Sequence, residues 1–394
     1  FDVKEVFAEL NAPILSERPF FELLSFSAAI RLSDYSTVGE TTTWNVGGVY
    51  APVRDIRFRG SYSKSVRAPN IGELFDPLGG TFAFVTDPCD ITRLNDGTEF
   101  RQANCTALLT GLGLTPAQIA TFSPSTDAVN TTTRRGLSGG NVNLTEETAR
   151  TWTAGVAIQP SFAPGLSLTV DYFDIRIEDA VNTATATEIA ELCVDQPTLD
   201  NAFCPNIFRS NTPGPSRGFV LGDSNDPAQR IGFIAGPQNV AVLETAGVDF
   251  ALRYALDTDN AGKFNFAVVG SYLDKYNFTP SIGADIEDDR LQDYNPKWRG
   301  SFDANWEYKG FNLNYVLIYQ SATQRFEPQQ LTANPDLADP KFFKTQELWD
   351  HNIRVSYDID DRFNIYAGVN NLTDQKPDFD DFAYPISGIG RYFY

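Results

Sequence analysis

Apolar and polar side chains alternate with a period of two in run after run of this chain, and no other feature constrains its fold as strongly. In residues 311–320, Phe311, Leu313, Tyr315, Leu317 and Tyr319 share one face, opposite Asn312, Asn314, Val316, Ile318 and Gln320. Residues 297–308 set Trp298, Phe302, Ala304, Trp306 and Tyr308 against Arg299, Ser301, Asp303, Asn305 and Glu307. Val248, Phe250, Leu252, Tyr254 and Leu256 oppose Asp249, Ala251, Arg253 and Ala255, and Phe363, Ile365, Ala367 and Val369 repeat the pattern. Successive side chains of a β-strand point to opposite faces, so each run predicts a strand with one greasy and one polar side. Similar runs at 3–11, 20–32, 42–51, 56–64, 149–158, 166–177, 263–273, 347–357 and 385–394 bring the expectation to thirteen strands, the last ending on an aromatic residue.

The connections alternate in length. Short ones at 12–19, 51–55, 159–165, 257–262, 309–310 and 358–361 interleave with longer ones at 33–41, 65–148, 178–243, 274–296, 321–346 and 371–384. Long and short ends are thereby sorted onto opposite rims of one antiparallel sheet. A soluble sandwich has no reason to keep that order, whereas a transmembrane barrel has short periplasmic turns and long external loops. On this reading Arg57, Arg59, Ser61, Arg253, Arg299, Asp303, Asn305, Asn352 and Arg354 line a watery lumen, since burying so many polar and ionisable groups in a dry core would be prohibitive. Trp44, Tyr50, Trp152, Phe266, Tyr272, Trp298, Trp306 and Tyr357 face outward near strand ends, where amphipathic rings favour the headgroup level. The expected fold is all-β, an antiparallel transmembrane β-barrel, with residues 1–394 forming one barrel domain.

Composition narrows the function. Among 394 residues, 51 acidic side chains against 31 basic ones leave a net charge of −20, which argues against nucleic acid as a partner. No segment approaches the roughly 18 consecutive apolar residues of a spanning helix. The only histidine, His351, shares the lipid-facing side with Trp349, Ile353 and Val355, so a hydrogen-bonded interfacial role is expected rather than catalysis. Gly79–Gly80 and Gly139–Gly140 lack the Lys-Ser/Thr of a phosphate loop, and neither enzyme activity nor a cofactor is expected. Acidic clusters at Asp285, Glu287, Asp288, Asp289 and at Asp378, Asp380, Asp381 lack calcium-loop spacing and read as solvated loop tips, so no metal is expected. Cys89, Cys105, Cys193 and Cys204 fall into two close pairs inside loops. Local disulfides, implying an oxidising compartment, are the expected reading, with a zinc site as the rival. The chain has no methionine and opens at Phe1 without a signal peptide, as expected for a processed start or part of a longer protein.

Arg67–Phe75 reads RAPNIGELF directly after the strand IRFRGSYSKSV, and Gly139–Pro160 reads GGNVNLTEETARTWTAGVAIQP. Together with GLSLTVDYFDIRIEDAV at 165–181 and NLTD at 371–374 before an aromatic end, these segments resemble the barrel half of TonB-dependent outer-membrane receptors. Val142 and Thr145 depart from the prolines usual in the family pattern. The resemblance marks Arg67, Ala68, Pro69, Glu73, Leu74 and Phe75 as a signature segment. Read by itself, that segment is a strand exit in which Pro69 ends the ladder, Asn70 and Gly72 favour a turn, and Arg67 pairs with an acid such as Glu73 at the rim.

The resemblance implies a barrel of about 22 strands, of which these are the last thirteen, filled by an N-terminal plug not in this chain. It further implies location in the outer membrane of a Gram-negative bacterium and coupling to the inner-membrane TonB complex through the missing N-terminal part. Loops 65–148 and 178–243, with Phe82 and Phe84, are the expected ligand-contacting elements, helped by the lumen residues Arg57, Arg59, Arg253, Arg299, Asp303 and Arg354. Acidic loops without concentrated Arg or Lys favour an oligosaccharide or another organic nutrient over a ferric siderophore. A passive porin and a secreted β-rich binding protein are the remaining alternatives.

Overall fold

The computed structural model describes residues 2–126, 132–223, 230–280, 286–292, 295–326, 331–332, 334–360, 362–376 and 390–394. The wall is built from β1 (Val3–Arg18), β2 (Phe21–Tyr35), β3 (Gly39–Val53) and β4 (Ile56–Arg67), followed after a long excursion by β7 (Glu147–Ile158) and β8 (Leu166–Ala184). It continues through β9 (Phe233–Thr258), β10 (Gly262–Thr279), β12 (Trp298–Tyr308), β13 (Phe311–Gln320), β14 (Leu348–Asp360), β15 (Phe363–Asn370) and β16 (Tyr392–Phe393). Each strand pairs antiparallel with the next along one path from β1 to β16, so twelve of the runs marked by alternation are strands of one sheet. Of the thirteenth, 385–394, Tyr392 and Phe393 join it while 385–389 lie outside the described residues. A loop hairpin, β5 (Gly79–Ala83) and β6 (Arg134–Ser138), and the short β11 (Glu287–Asp288) lie off this path.

Register carries side-chain identity from strand to strand. Arg59 lies opposite Gly155, Gly155 opposite Asp171, Asp171 opposite Asp249, Asp249 opposite Ser271, and Ser271 opposite Arg299. One side of the sheet is therefore polar across its breadth. The other carries aromatic contacts at two levels. One level pairs Trp44 with Tyr62, Tyr62 with Trp152, Tyr272 with Trp298 and Tyr319 with Trp349, at 5.1, 4.4, 4.6 and 4.4 Å between ring centroids. The other joins Tyr50 to Phe58, Phe264 to Trp306 and Phe311 to Tyr357. On β12 the two levels, Trp298 and Trp306, are eight residues apart, about 26 Å along the strand. Tilted by roughly 35–45°, that spacing covers about 19–22 Å, most of the roughly 25 Å apolar band that aromatic girdles flank in outer-membrane barrels. Beyond the first girdle the same side turns ionic: Arg176 Nη1 meets Glu244 Oε1 at 2.8 Å, and Lys275 lies 3.9 Å from Asp174. Phe311 stands 49% exposed, with no second sheet over it among the described residues.

His351 sits on the apolar side opposite Leu317, its Nδ1 at 2.7 Å from the Tyr315 hydroxyl, the partnered interfacial arrangement its alternation predicted.

The connection expected at 33–41 differs from the structure. Residues Ser33 to Tyr35 pair with Thr41 to Gly39, and only 36–38 turn. A ladder is held by backbone hydrogen bonds, so it continues into polar rim sequence after the apolar alternation has stopped. The same effect lengthens β9 to 26 residues.

Candidate functional site

The two longest loops fold together into one cap on the outer rim. The first supplies α1 (Ile71–Phe75), α2 (Arg101–Gly111) and α3 (Pro116–Ile119), and the second supplies α4 (Ala186–Val194). Capping boxes start three of these helices, with Asn70 and Glu73, Thr115 and Gln118, and Thr185 and Glu188 exchanging side-chain to backbone hydrogen bonds. Cys105, Leu109, Leu114 and Phe122 of the first loop share a buried core with Ile189, Leu192, Val194 and Phe219 of the second. Cys89–Cys105 and Cys193–Cys204 are disulfides that staple each loop to itself, which removes the zinc reading.

Two bidentate ion pairs stitch the loops to each other. Arg101 Nε and Nη2 donate to Asp195 at 2.8 and 2.5 Å, and Arg209 Nη1 and Nη2 donate to Asp87 at 2.6 and 2.7 Å. Both side chains of the second pair are nearly dry, at 4% and 6% exposure. Burial raises the Glu191 carboxyl above its ordinary range; the Arg101 charge opposes this and Asp195 adds to it. Burial also works against ionisation of Asp90. Hydrogen bonds from Ser125 and Thr92, through side chains and backbone N–H groups, outweigh it and hold that carboxyl at about 2.

The signature segment is where this cap is hinged to the wall. Arg67 Nε and Nη2 donate to Glu147 at 2.7 and 2.6 Å, and Nη1 reaches Glu73 at 3.1 Å, so one guanidinium ties β4, β7 and α1 together. Glu147 Oε1 also accepts the Val181 N–H at 2.7 Å. The expected pairing with Glu73 is present, and Glu147 is an additional partner that the sequence reading did not identify. The segment is a capped helix rather than a turn, because Asn70 and Glu73 satisfy its first N–H groups. Pro69 and Leu74 are buried, Ala68 is half-buried and Phe75 is exposed. Gly140 packs so closely on α1 that a Cβ there would lie 2.6 Å from the Leu74 carbonyl carbon and 2.7 Å from the Asp76 nitrogen.

The remaining predicted residues separate into two groups. Phe82 and Phe84 stand 68% and 67% exposed at the hairpin, with Arg135 directly across the ladder from Phe82. Arg57, Arg59, Arg253, Arg299, Asp303 and Arg354 share the polar side of the wall, away from that hairpin. Arg59 reaches over Gly155 to Asp171, where a Cβ on Gly155 would overlap Asp171 Oδ1. Asp303 accepts from Asn314 at 3.1 Å, and the Arg354 guanidinium lies 4.9 Å from the Tyr366 ring centre. Among the described residues no group of three or more His, Cys, Asp or Glu could hold a metal ion; Asp285, Asp378, Asp380 and Asp381 lie outside the described residues.

Residues 2–372 match the family described as TonB dependent receptor-like, beta-barrel. No curated protein matches the chain by sequence. Among solved structures, a ferric enterobactin receptor mutant of Pseudomonas aeruginosa in complex with enterobactin aligns with a TM-score of 0.58 at 12% identity, covering 99% of this chain and 44% of that one. The siderophore receptor PirA of Acinetobacter baumannii aligns with a TM-score of 0.58 at 14% identity, covering 99% and 45%. At such identities the likeness is one of fold, and the chain spans less than half the length of either receptor.

Proposed function

This chain belongs to the TonB-dependent receptor β-barrel family, whose members are outer-membrane receptors and transporters of Gram-negative bacteria, and on that premise we propose that it serves the TonB-coupled uptake of a neutral organic solute, of which an oligosaccharide is the leading class. In this reading residues 1–394 are one barrel domain contributing thirteen strands of a wall of about 22, and a plug and the TonB contact belong to sequence outside this chain. The cap binds solute, with Phe82 and Phe84 offering ring faces. Arg57, Arg59, Arg253, Arg299, Asp303 and Arg354 border the path through the lumen.

The observation that carries the neutral-ligand reading is how the cap uses its cations. Arg67, Arg93, Arg101 and Arg209 are each held by a carboxylate and Arg217 donates to the Asn211 and Gly113 carbonyls, so five of the cap's arginines are engaged within it, while Arg135 stands exposed across the ladder from Phe82. A second reading, a ferric siderophore, draws on the exposed Arg57 and Arg253 of the polar side. Uptake of labelled neutral oligosaccharides by cells carrying the full-length receptor tests both. Accumulation that stops when a protonophore collapses the proton gradient is the expected result. Accumulation that persists points to passive diffusion, and uptake confined to a ferric chelate selects the second reading.

A further inference from the structure

A cleft of about 600 Å³ opens between α1, the strand-entry segment 140–145 and the outer end of β9. Its size lies within the roughly 300–1,000 Å³ of small-molecule sites. Of the side chains around it only Asp76 is ionisable, although the chain as a whole is strongly acidic. Apart from Asp76 and the Thr145 hydroxyl the polar side chains are carboxamides, and three have capacity left over. Gln238 Oε1 accepts from Asn141 Nδ2 at 3.3 Å, and Asn206 Nδ2 donates to the Ala202 carbonyl at 3.1 Å. Among the described residues no protein partner engages Gln238 Nε2, Asn206 Oδ1 or the Asn143 carboxamide. Two donors on one amide nitrogen, a carbonyl acceptor and a complete carboxamide therefore remain for whatever enters the cleft. Phe75, 55% exposed, presents its ring at the same opening, and the buried Phe203 closes the side opposite.

We propose that this cleft is a binding site for a short neutral polyhydroxylated ligand such as an oligosaccharide. A hydroxyl is donor and acceptor at once, and a carboxamide is the neutral side chain that answers both roles. A charged ligand would find Asp76 but no cation, and so would enter without compensation for its lost hydration. The Phe75 ring supplies an apolar face for the carbon side of a sugar ring. Because the cleft is bounded by α1 and Gly140, the Arg67 clamp that seats α1 also sets its width.

This assignment rests on the neutral-ligand reading above, and its test separates the two. The full-length receptor in detergent micelles is applied to a printed array of neutral oligosaccharides, beside F75A, N143A and Q238E variants. N143A removes a side chain with no described protein partner, and Q238E keeps the oxygen that accepts from Asn141, so both leave the cap's own bonds in place. Retention of neutral glycans by the parent protein, weakened roughly tenfold in each variant, is the expected outcome. Retention that ignores all three substitutions overturns the site and leaves the uptake function standing. An array on which nothing is retained, or a ferric tris-catecholate whose binding falls with the same substitutions, overturns the neutral-ligand chemistry of both.

Discussion

Replacing Asp87 with Ala should loosen the cap while leaving the wall untouched. Asp87 takes two hydrogen bonds from Arg209 and one from the Cys89 N–H at 2.9 Å. With the carboxylate gone, Arg209 retains among the described residues only the Gly218 carbonyl at 2.9 Å, and its Nε has no partner among them either. A buried guanidinium stripped of its counter-charge costs about 3–5 kcal/mol. A factor of ten corresponds to about 1.4 kcal/mol, so native-state hydrogen exchange of the α4 amides should accelerate by about two to almost four orders of magnitude. Exchange in β7 and β8 should stay unchanged. The control is Glu22→Ala, which breaks an ion pair to Arg54 whose side chains are 81% and 34% exposed and should cost about 0–1 kcal/mol. Removing both charges, as D87L with R209M, should recover most of the loss, because the double change leaves no orphaned ion. The reasoning is refuted if D87A accelerates the α4 amides no more than E22A does, or if the double variant is worse than the single.

Gly140→Ala should undock α1, since the added carbon meets backbone rather than a movable side-chain end; enhanced proteolysis near Phe75 in the intact receptor measures it. Glu147→Gln should weaken the three-element clamp by roughly 1–3 kcal/mol, read as a lower unfolding temperature, and more than Glu73→Gln because Glu147 takes two short bonds from Arg67 and one from Val181. Asp90 has a folded carboxyl at about 2, below its unfolded value, so it contributes its full stability above about pH 4, roughly 2 kcal/mol, and loses it as pH falls through 2. Exchange at the Thr92 and Ser125 amides should therefore quicken between about pH 4 and 2, and Asp90→Asn should abolish that dependence. Mild reduction of Cys89–Cys105, which closes a 16-residue separation, should destabilise the cap by about 3 kcal/mol without unfolding the wall, an outcome that cap-specific exchange would report.

The wall was legible in the sequence because a lipid-facing strand must alternate over its whole span, and runs such as 311–320 leave no competing period. What lay above the bilayer was not. Ser33, Asp34 and Tyr35 carry no apolar alternation, yet the ladder holds them, so a strand read from hydropathy ends where the membrane does. In the cap, Asn70-x-x-Glu73 and Thr185-x-x-Glu188 are capping-box helix starts that stand in the sequence itself, but the helices they open are too short to show an apolar period. The Arg101–Asp195 and Arg209–Asp87 pairs could not be read from spacing, because their partners are 94 and 122 positions apart and meet only after two loops have packed. Asn143, Asn206 and Gln238 give no sequence signal at all; what singles them out is unspent hydrogen-bonding capacity.

The length of β9 has a mechanical consequence. Its first residue, Phe233, is fully buried at the loop end, and its last, Thr258, lies at the opposite rim. At about 3.3 Å per residue its 26 residues span about 86 Å, flanked by β8 from Gly236 to Tyr254 and by β10 from Val242 to Thr258, while Phe233–Ala235 pair with β6 of the cap hairpin. Where both flanks are paired, from Val242 to Tyr254, the strand transmits tilt rather than folding. A swing of the outer lobe therefore also loads the attachment where the chain leaves β4 after Arg67 and returns at Glu147, a joint that the Arg67 guanidinium shares with the Gly140 and Asn141 N–H groups bonded to the Asp76 and Glu73 carbonyls.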